Sequence, residues 1–185
     1  MTTHLTERQI KLGQFASDLH KGQVRKYTGE PYIQHCIKVA EKAKSYDIYL
    51  GWEIGICHDL LEDTECHIDL LVGILQVIGY DYDEVEKIIT CVKELTYVYT
   101  NEAYLDLNRK QRKELEAKRL WNISKDAQSI KYCDLIDNIE SICYHDAKFA
   151  KVYLQEKGYI LKGMRAGNAE LLATCELKIK LNKQT

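Results

Sequence analysis

One histidine and three acids, His58, Asp59, Glu62 and Asp63, interrupt a run that otherwise reads as a buried helix, with Trp52, Ile54, Ile56, Cys57, Leu60 and Leu61 around them. Burying several ionisable groups together is costly unless something compensates, and the usual compensator is a bound cation. On a helix, residues three and four apart share a face. Glu62 is four residues from His58 and three from Asp59, and Asp63 is four from Asp59. One helix can therefore present an imidazole and a carboxylate at one level and two more carboxylates a turn above. Adjacent His58 and Asp59 differ by about 100° around the axis, yet can converge on an ion lying between them. Whatever fold this chain adopts must bring further ligands to that helix.

Two residues do not fill a coordination sphere. His35 is the best further candidate, one turn into a segment lined with Ile33, Ile37 and Ala40. Asp134 is the other, inside the almost wholly apolar stretch from Ile130 to Ile139. Asp134, Asn138 and Ser141 fall at i, i+4 and i+7, a polar stripe that needs partners inside a buried helix. Two histidines and two carboxylates make a mixed nitrogen and oxygen site without thiolates. That set suits Mn²⁺, or another divalent transition metal, better than Ca²⁺. Open positions imply a bound water of lowered pKa, hence a hydroxide nucleophile near neutral pH, with Glu62 and Asp63 orienting it and moving protons.

A single proline in 185 residues and few β-branched alternations predict an all-α fold. Thr6 and Gln9 form a capping-box signature ahead of Leu12, Phe15, Ala16 and Leu19. Pro31 suits the first position of the next helix. Further helices are expected over 51–64, 68–78, 82–95, 108–121 and 124–144, and two C-terminal helices split near Lys157 and Gly158. Residues 97–106 read as a loop with a short helix. With no repeat, linker or low-complexity tract, one domain is expected over residues 1–185.

A net charge of −2 gives no basic surplus for a nucleic-acid polymer or an anionic membrane. No stretch approaches the roughly 18–20 apolar residues of a membrane span. Residues 1–9 lack the apolar core of a signal peptide. Seven cysteines, an odd count without a C-x-x-C pair, fit free thiols in a reducing cytoplasm. His4, His67 and His145 have no partners at ligand spacing, and His20 reads as structural. The densest basic run, from Asn108 to Arg119, supplies cations to the distal phosphates of a nucleotide, Arg112 among them, or else is a solvated helix held by pairs such as Glu114 with Lys118. No glycine-rich phosphate cradle is present.

These residues carry a resemblance. His35, His58 with Asp59, and Asp134 resemble the signature of the HD-domain metal-dependent phosphohydrolases. The stretch from Arg25 and Lys26 through Gly29, Glu30, Pro31 and Tyr32 to His35 is similar to the hydrolase domain of RelA/SpoT homologues. So are His58, Asp59, Glu62, Asp63 and Thr64, and Lys131, Asp134 and Asn138. The stand-alone small alarmone hydrolases match best in length. The resemblance covers about residues 5–145; the helices over about 146–182 lie outside it. It implies a compact helical bundle with a metal site at its centre, usually holding Mn²⁺. It also implies removal of the 3′-pyrophosphate from guanosine tetra- or pentaphosphate by metal-bound hydroxide, giving GDP or GTP. By position, His35, His58, Asp59 and Asp134 match the metal ligands and Glu62 and Asp63 the catalytic acidic pair. Arg25 or Lys26, Asn138 and Ser141 match substrate contacts. Cys36 stands where the family usually has proline, Leu135 where it often has arginine or lysine, and Asp137 where it often has histidine or tyrosine. A different nucleotide (a dNTP, a nucleoside monophosphate or NADPH) therefore stays open as substrate, as does a non-catalytic alarmone sensor. A homo-oligomer stays open too.

Overall fold

Capping side chains mark where most of the described helices begin. A Thr6–Gln9 capping box opens α1 (Glu7–Leu19), and the same device opens α6 (Tyr82–Leu95) from Asp81 and α7 (Arg109–Leu120) from Asn108. Each box satisfies two backbone N–H groups that the helix leaves orphaned, and losing such a cap costs about 1 kcal/mol. The computed structural model describes residues 4–183; Met1–Thr3, part of the stretch read for a signal peptide, and Gln184–Thr185 lie outside the described residues. Among the described residues the chain is all-helical, apart from an isolated bridge between Val24 and Pro31. No helix there is long and apolar enough to cross a membrane, and the seven cysteines are free thiols.

Contacts divide the chain into two compact units, residues 1–96 and 97–185. The first holds α1, α2 (Ile33–Ser45), α3 (Gly51–Cys57), α4 (Leu60–Asp63), α5 (Ile68–Ile78) and α6. Its defining contact is α2 against α3, around a core that includes Val39, Ala40, Ile54 and Ile56. Gly55 makes that contact close: a Cβ at this position would lie 2.7 Å from Ala40 Cα and 2.9 Å from its backbone nitrogen. Only a residue without a side chain fits.

Two expected boundaries move here. The helix over 51–64 breaks at His58 and Asp59, where Asp59 has φ −102° and ψ −1°. His58 Nδ1 lies 2.7 Å from Gly55 O, the carbonyl that the Asp59 N–H would bond in an unbroken helix. The imidazole thus takes over a backbone bond, and the chain turns at the pair that carries the chemistry. Pro31 does not begin α2, which starts at Ile33. It sits instead in the bridge to Val24, flanked by Arg25 N–H donating to Glu30 O at 2.9 Å and Tyr32 N–H to Gln23 O at 3.0 Å.

The second unit holds α7, α8 (Lys125–His145), α9 (Ala147–Gly163) and α10 (Ala169–Asn182). Helix α8 is buried all round from Ala127 to Ile136, as a helix packed on every side must be. The C-terminal break expected near Lys157 and Gly158 is absent, since α9 runs through both. A helix-interior glycine costs about 1 kcal/mol, and the burial of Leu154, Ile160 and Leu161 around it outweighs that. The break comes at residues 164–168, where tertiary bonds hold it: Tyr132 Oη donates to Met164 O at 2.6 Å, Trp121 Nε1 donates to Ile160 O at 2.9 Å, and Asn168 caps α10. Residues 97–108 are turns without the expected short helix. Buried Glu116 accepts the Val98 and Tyr99 N–H groups, both at 3.1 Å, and so ties that segment down without helical bonds.

Candidate metal centre

Gly55 O can only accept, so the His58 proton that meets it is on Nδ1, and the neutral imidazole then carries its lone pair on Nε2. That Nε2 is buried, has no hydrogen-bond partner, and faces Asp59 Oδ2 at 3.0 Å. With the neutral imidazole these are two acceptors pointed at one another, an arrangement that a proton or a metal cation between them relieves. His35 Nε2 is 3.6 Å from the same carboxylate oxygen, and His35 is 1% exposed. Its ring lies edge-on to that of His58, with centroids 5.2 Å apart. One ligand atom from each of the three residues lies within 4.8 Å of the others. Two imidazoles and a carboxylate, buried and converging, fit a divalent transition metal. The backbone bond at Nδ1 is what orients a ligating histidine.

A second layer couples the acids. Tyr32 Oη lies 2.8 Å from Asp59 Oδ2 and 2.9 Å from Asp63 Oδ2. One phenolic proton cannot bond both carboxylates at once. Burial, together with the Asp59 and Asp63 charges, pushes the Tyr32 hydroxyl far above its ordinary pKa, so it serves as a donor and stays protonated. Partial desolvation and then the Asp59 charge raise the Asp63 carboxyl, against the lowering effect of the Tyr32 bond. Asp63 is also tied by its backbone, Gln23 Nε2 donating to its carbonyl at 2.6 Å, and Gln23 Oε1 lies 2.7 Å from His20 Nδ1. Glu62 is exposed on α4. Reading the sequence for ligands passed over Tyr32. Its position three residues before His35 placed it one turn away on the same face.

Asp134 belongs to the second unit, 5% exposed, with Lys131 Nζ at 2.7 Å and Asn138 Nδ2 donating to its Oδ1. The expected stripe is therefore real in two of its members, and the third, Ser141, has a buried Oγ without a hydrogen-bond partner. Lys131, one turn before Asp134, was legible as a motif residue but not as its ion-pair partner. Near it, the half-buried Tyr97 has Lys113 Nζ 4.4 Å and Lys131 Nζ 5.1 Å from its ring centroid, and Lys157 Nζ 3.3 Å from its hydroxyl. Lys131 first, then Lys157 and Lys113, hold that phenol below its ordinary pKa against the opposing effect of burial. Nothing in the sequence spacing announced this cluster.

The remaining expected contacts separate by burial. Arg25 is buried in the bridged loop, whereas Lys26 is exposed with its ammonium 5.0 Å from the Tyr27 ring centroid. Arg112 donates to Leu107 O, and Arg119 pairs with Glu116. Of the four residues expected as ligands, His35, His58 and Asp59 come together in the first unit.

No protein-family model matches the chain, and no curated protein does. Among solved structures, it is similar to a metazoan ortholog of SpoT that hydrolyses ppGpp and plays a role in starvation responses, with 19% identity and a TM-score of 0.79 over 100% of both chains. The chain has the all-helical HD-domain fold of that hydrolase.

Proposed function

We propose that this protein is a metal-dependent 3′-pyrophosphohydrolase of guanosine tetra- and pentaphosphate. The observation that carries the reading is the convergence of buried His58 Nε2 and His35 Nε2 on Asp59 Oδ2, at 3.0 and 3.6 Å. His35, His58 and Asp59 would hold the ion, and Asp134, which pairs with Lys131, is the fourth ligand that the motif implies. Manganese is the metal we assign. A divalent ion held there supplies Lewis acidity, which makes water nucleophilic near neutral pH.

The chain's own groups handle protons and charge. Asp63, raised by desolvation and Asp59, accepts a proton from the attacking water at a carboxylate that Tyr32 Oη steadies. Glu62, exposed beside it, exchanges that proton with solvent. The new bond joins the water oxygen to the phosphorus on the 3′ oxygen; the bond from that phosphorus to the 3′ oxygen breaks, the 3′ oxygen takes up a proton by way of the same acidic pair, and pyrophosphate and GDP or GTP are released. Arg25 or Lys26 faces the phosphates, with Arg112 on the distal ones, and Asn138 and Ser141 line the nucleoside. Leu135, where relatives often carry a cation, is fully buried, so that departure alters packing.

Purified protein with Mn²⁺ is expected to release pyrophosphate from guanosine tetraphosphate, and Asp59→Ala is expected to abolish the release. A panel containing dNTPs, nucleoside monophosphates and NADPH fixes the substrate. Absence of turnover across divalent metals and enzyme concentrations refutes the hydrolytic reading, and tight binding without product supports the alarmone sensor.

A further inference from the structure

Within the second unit, α7 and α9 wall a cavity of about 480 Å³, inside the 300–1,000 Å³ range of small-ligand pockets. Its lining is basic. Arg109 and Glu156 pair with one another, which leaves Lys110, Lys113 and Lys157 against the single carboxylate of Glu114. Lys157 is the telling member. It is 5% exposed, and it meets the Tyr97 hydroxyl at 3.3 Å and the faces of Tyr97 and Tyr153, with centroids 6.0 and 4.9 Å from Nζ. Lys113, half-buried, sits 4.4 Å from the centroid of the same Tyr97 ring. Cation–π contacts recover part of the cost of burying an ammonium but leave its charge uncompensated. Both lysines line the cavity.

Charge along the sequence runs the same way. Residues 97–185 carry sixteen Lys and Arg against twelve Asp and Glu, whereas residues 1–96 carry ten against sixteen. The rest of the wall is apolar, with Val152, Ile160 and the Tyr159 ring, which packs on Trp121 at 5.3 Å between centroids. A flat aromatic wall beside clustered cations suits a ligand with a planar base at one end and phosphate at the other.

We propose that the α7–α9 cavity is a nucleotide-binding site in which Lys113 and Lys157 hold a phosphate and Tyr159 lies against the base. The proposal does not rest on the hydrolytic reading, because binding is measured apart from turnover. Isothermal titration of the full chain carrying Asp59→Ala, in EDTA, uses GDP and inorganic pyrophosphate as probes. GDP is expected to bind more tightly than pyrophosphate. Lys157→Met, nearly isosteric, and Lys113→Ala are each expected to weaken GDP at least tenfold, while Lys118→Met, exposed on α7 outside the cavity, leaves it unchanged. If Lys157→Met fails to fold, Lys113→Ala carries the test alone. GDP that does not bind, binds these variants as tightly as the parent, or binds no better than pyrophosphate overturns the proposal. In the active chain, a raised KM for guanosine tetraphosphate in Lys113→Ala identifies the ligand as substrate. An unchanged KM with GDP altering the parent's rate identifies it as an effector.

Discussion

Gly55→Ala tests the contact on which the metal centre depends. The added Cβ would meet Ala40 Cα at 2.7 Å, Ala40 N at 2.9 Å and the Val39 carbonyl carbon at 3.2 Å. All three are backbone atoms, so no rotamer change relieves the overlap. Ordinary contact begins at 3.4 Å, so α2 and α3 must part by about 0.7 Å. Overpacking of this kind costs about 1–3 kcal/mol, and at roughly 2–4 °C per kcal/mol for a chain of this size the melting temperature falls by several degrees. The larger effect is on the site. His35 is on α2 and His58 directly follows α3, whereas metal–ligand distances tolerate only about 0.2 Å. Manganese affinity is expected to drop at least tenfold, more than the stability loss alone explains. Circular dichroism melts with and without metal, together with calorimetric Mn²⁺ titration, measure both. Gly73→Ala is the control: it adds a Cβ to α5 with nothing within 4 Å and is expected to be neutral or stabilising by about 0.5–1 kcal/mol. A Gly55→Ala protein that melts and binds Mn²⁺ like the parent refutes the claim that this close approach sets the site.

Other perturbations isolate single interactions. Lys131→Met leaves the buried Asp134 carboxylate without its 2.7 Å partner and is expected to cost about 3–5 kcal/mol by denaturant unfolding; adding Asp134→Leu restores much of the loss, and failure of that rescue argues against a paired buried charge. Tyr32→Phe keeps the ring but removes the hydroxyl that lies between Asp59 and Asp63, so Mn²⁺ should still bind while kcat falls by about tenfold or more; equal losses in metal content and kcat would instead make Tyr32 part of the binding site. Arg8 lowers the Glu84 carboxyl pKa through a two-pronged bond, so the sign is that of a depressed acid: its stabilisation is complete above the unfolded pKa and disappears as pH falls through the folded one. With Arg8 40% exposed, solvent screening holds the contribution to about 1 kcal/mol or less. Glu84→Gln should therefore lose stability at neutral pH and little in acid, and a pH-independent difference would be the contrary result.

What was legible in the sequence was chemistry confined to one helix turn or to a capping box. Thr6 with Gln9 marks a helix start wherever the chain packs, because its bonds are local. The Asp134–Asn138 contact follows from i, i+4 spacing in the same way. Local reasoning failed where a tertiary partner takes over a backbone group. The helix expected to run through residue 64 stops because one imidazole bonds Gly55 O, and the break expected at Gly158 lies instead at residues 164–168, because Tyr132 reaches Met164 O. The lysines around Tyr97 come from three helices, and no spacing rule joins residues 113, 131 and 157.

The two failures differ in kind, and the difference bears on function. At Gly158 a propensity rule lost to packing, with no consequence for chemistry. At His58 the broken helix is what orients the imidazole. Had α3 continued, Gly55 O would have bonded the Asp59 N–H, and His58 Nδ1 would have needed another partner to fix its tautomer. By ending the helix with its own imidazole, the chain commits Nδ1 as the donor and turns the Nε2 lone pair toward Asp59 and His35. The same turn puts Asp59 outside α3, where Tyr32 can reach both it and Asp63. A sequence reader sees a helix carrying four charges. The folded chain ends one helix and begins another between the first two, and that interruption leaves His58 Nε2 facing Asp59 and His35.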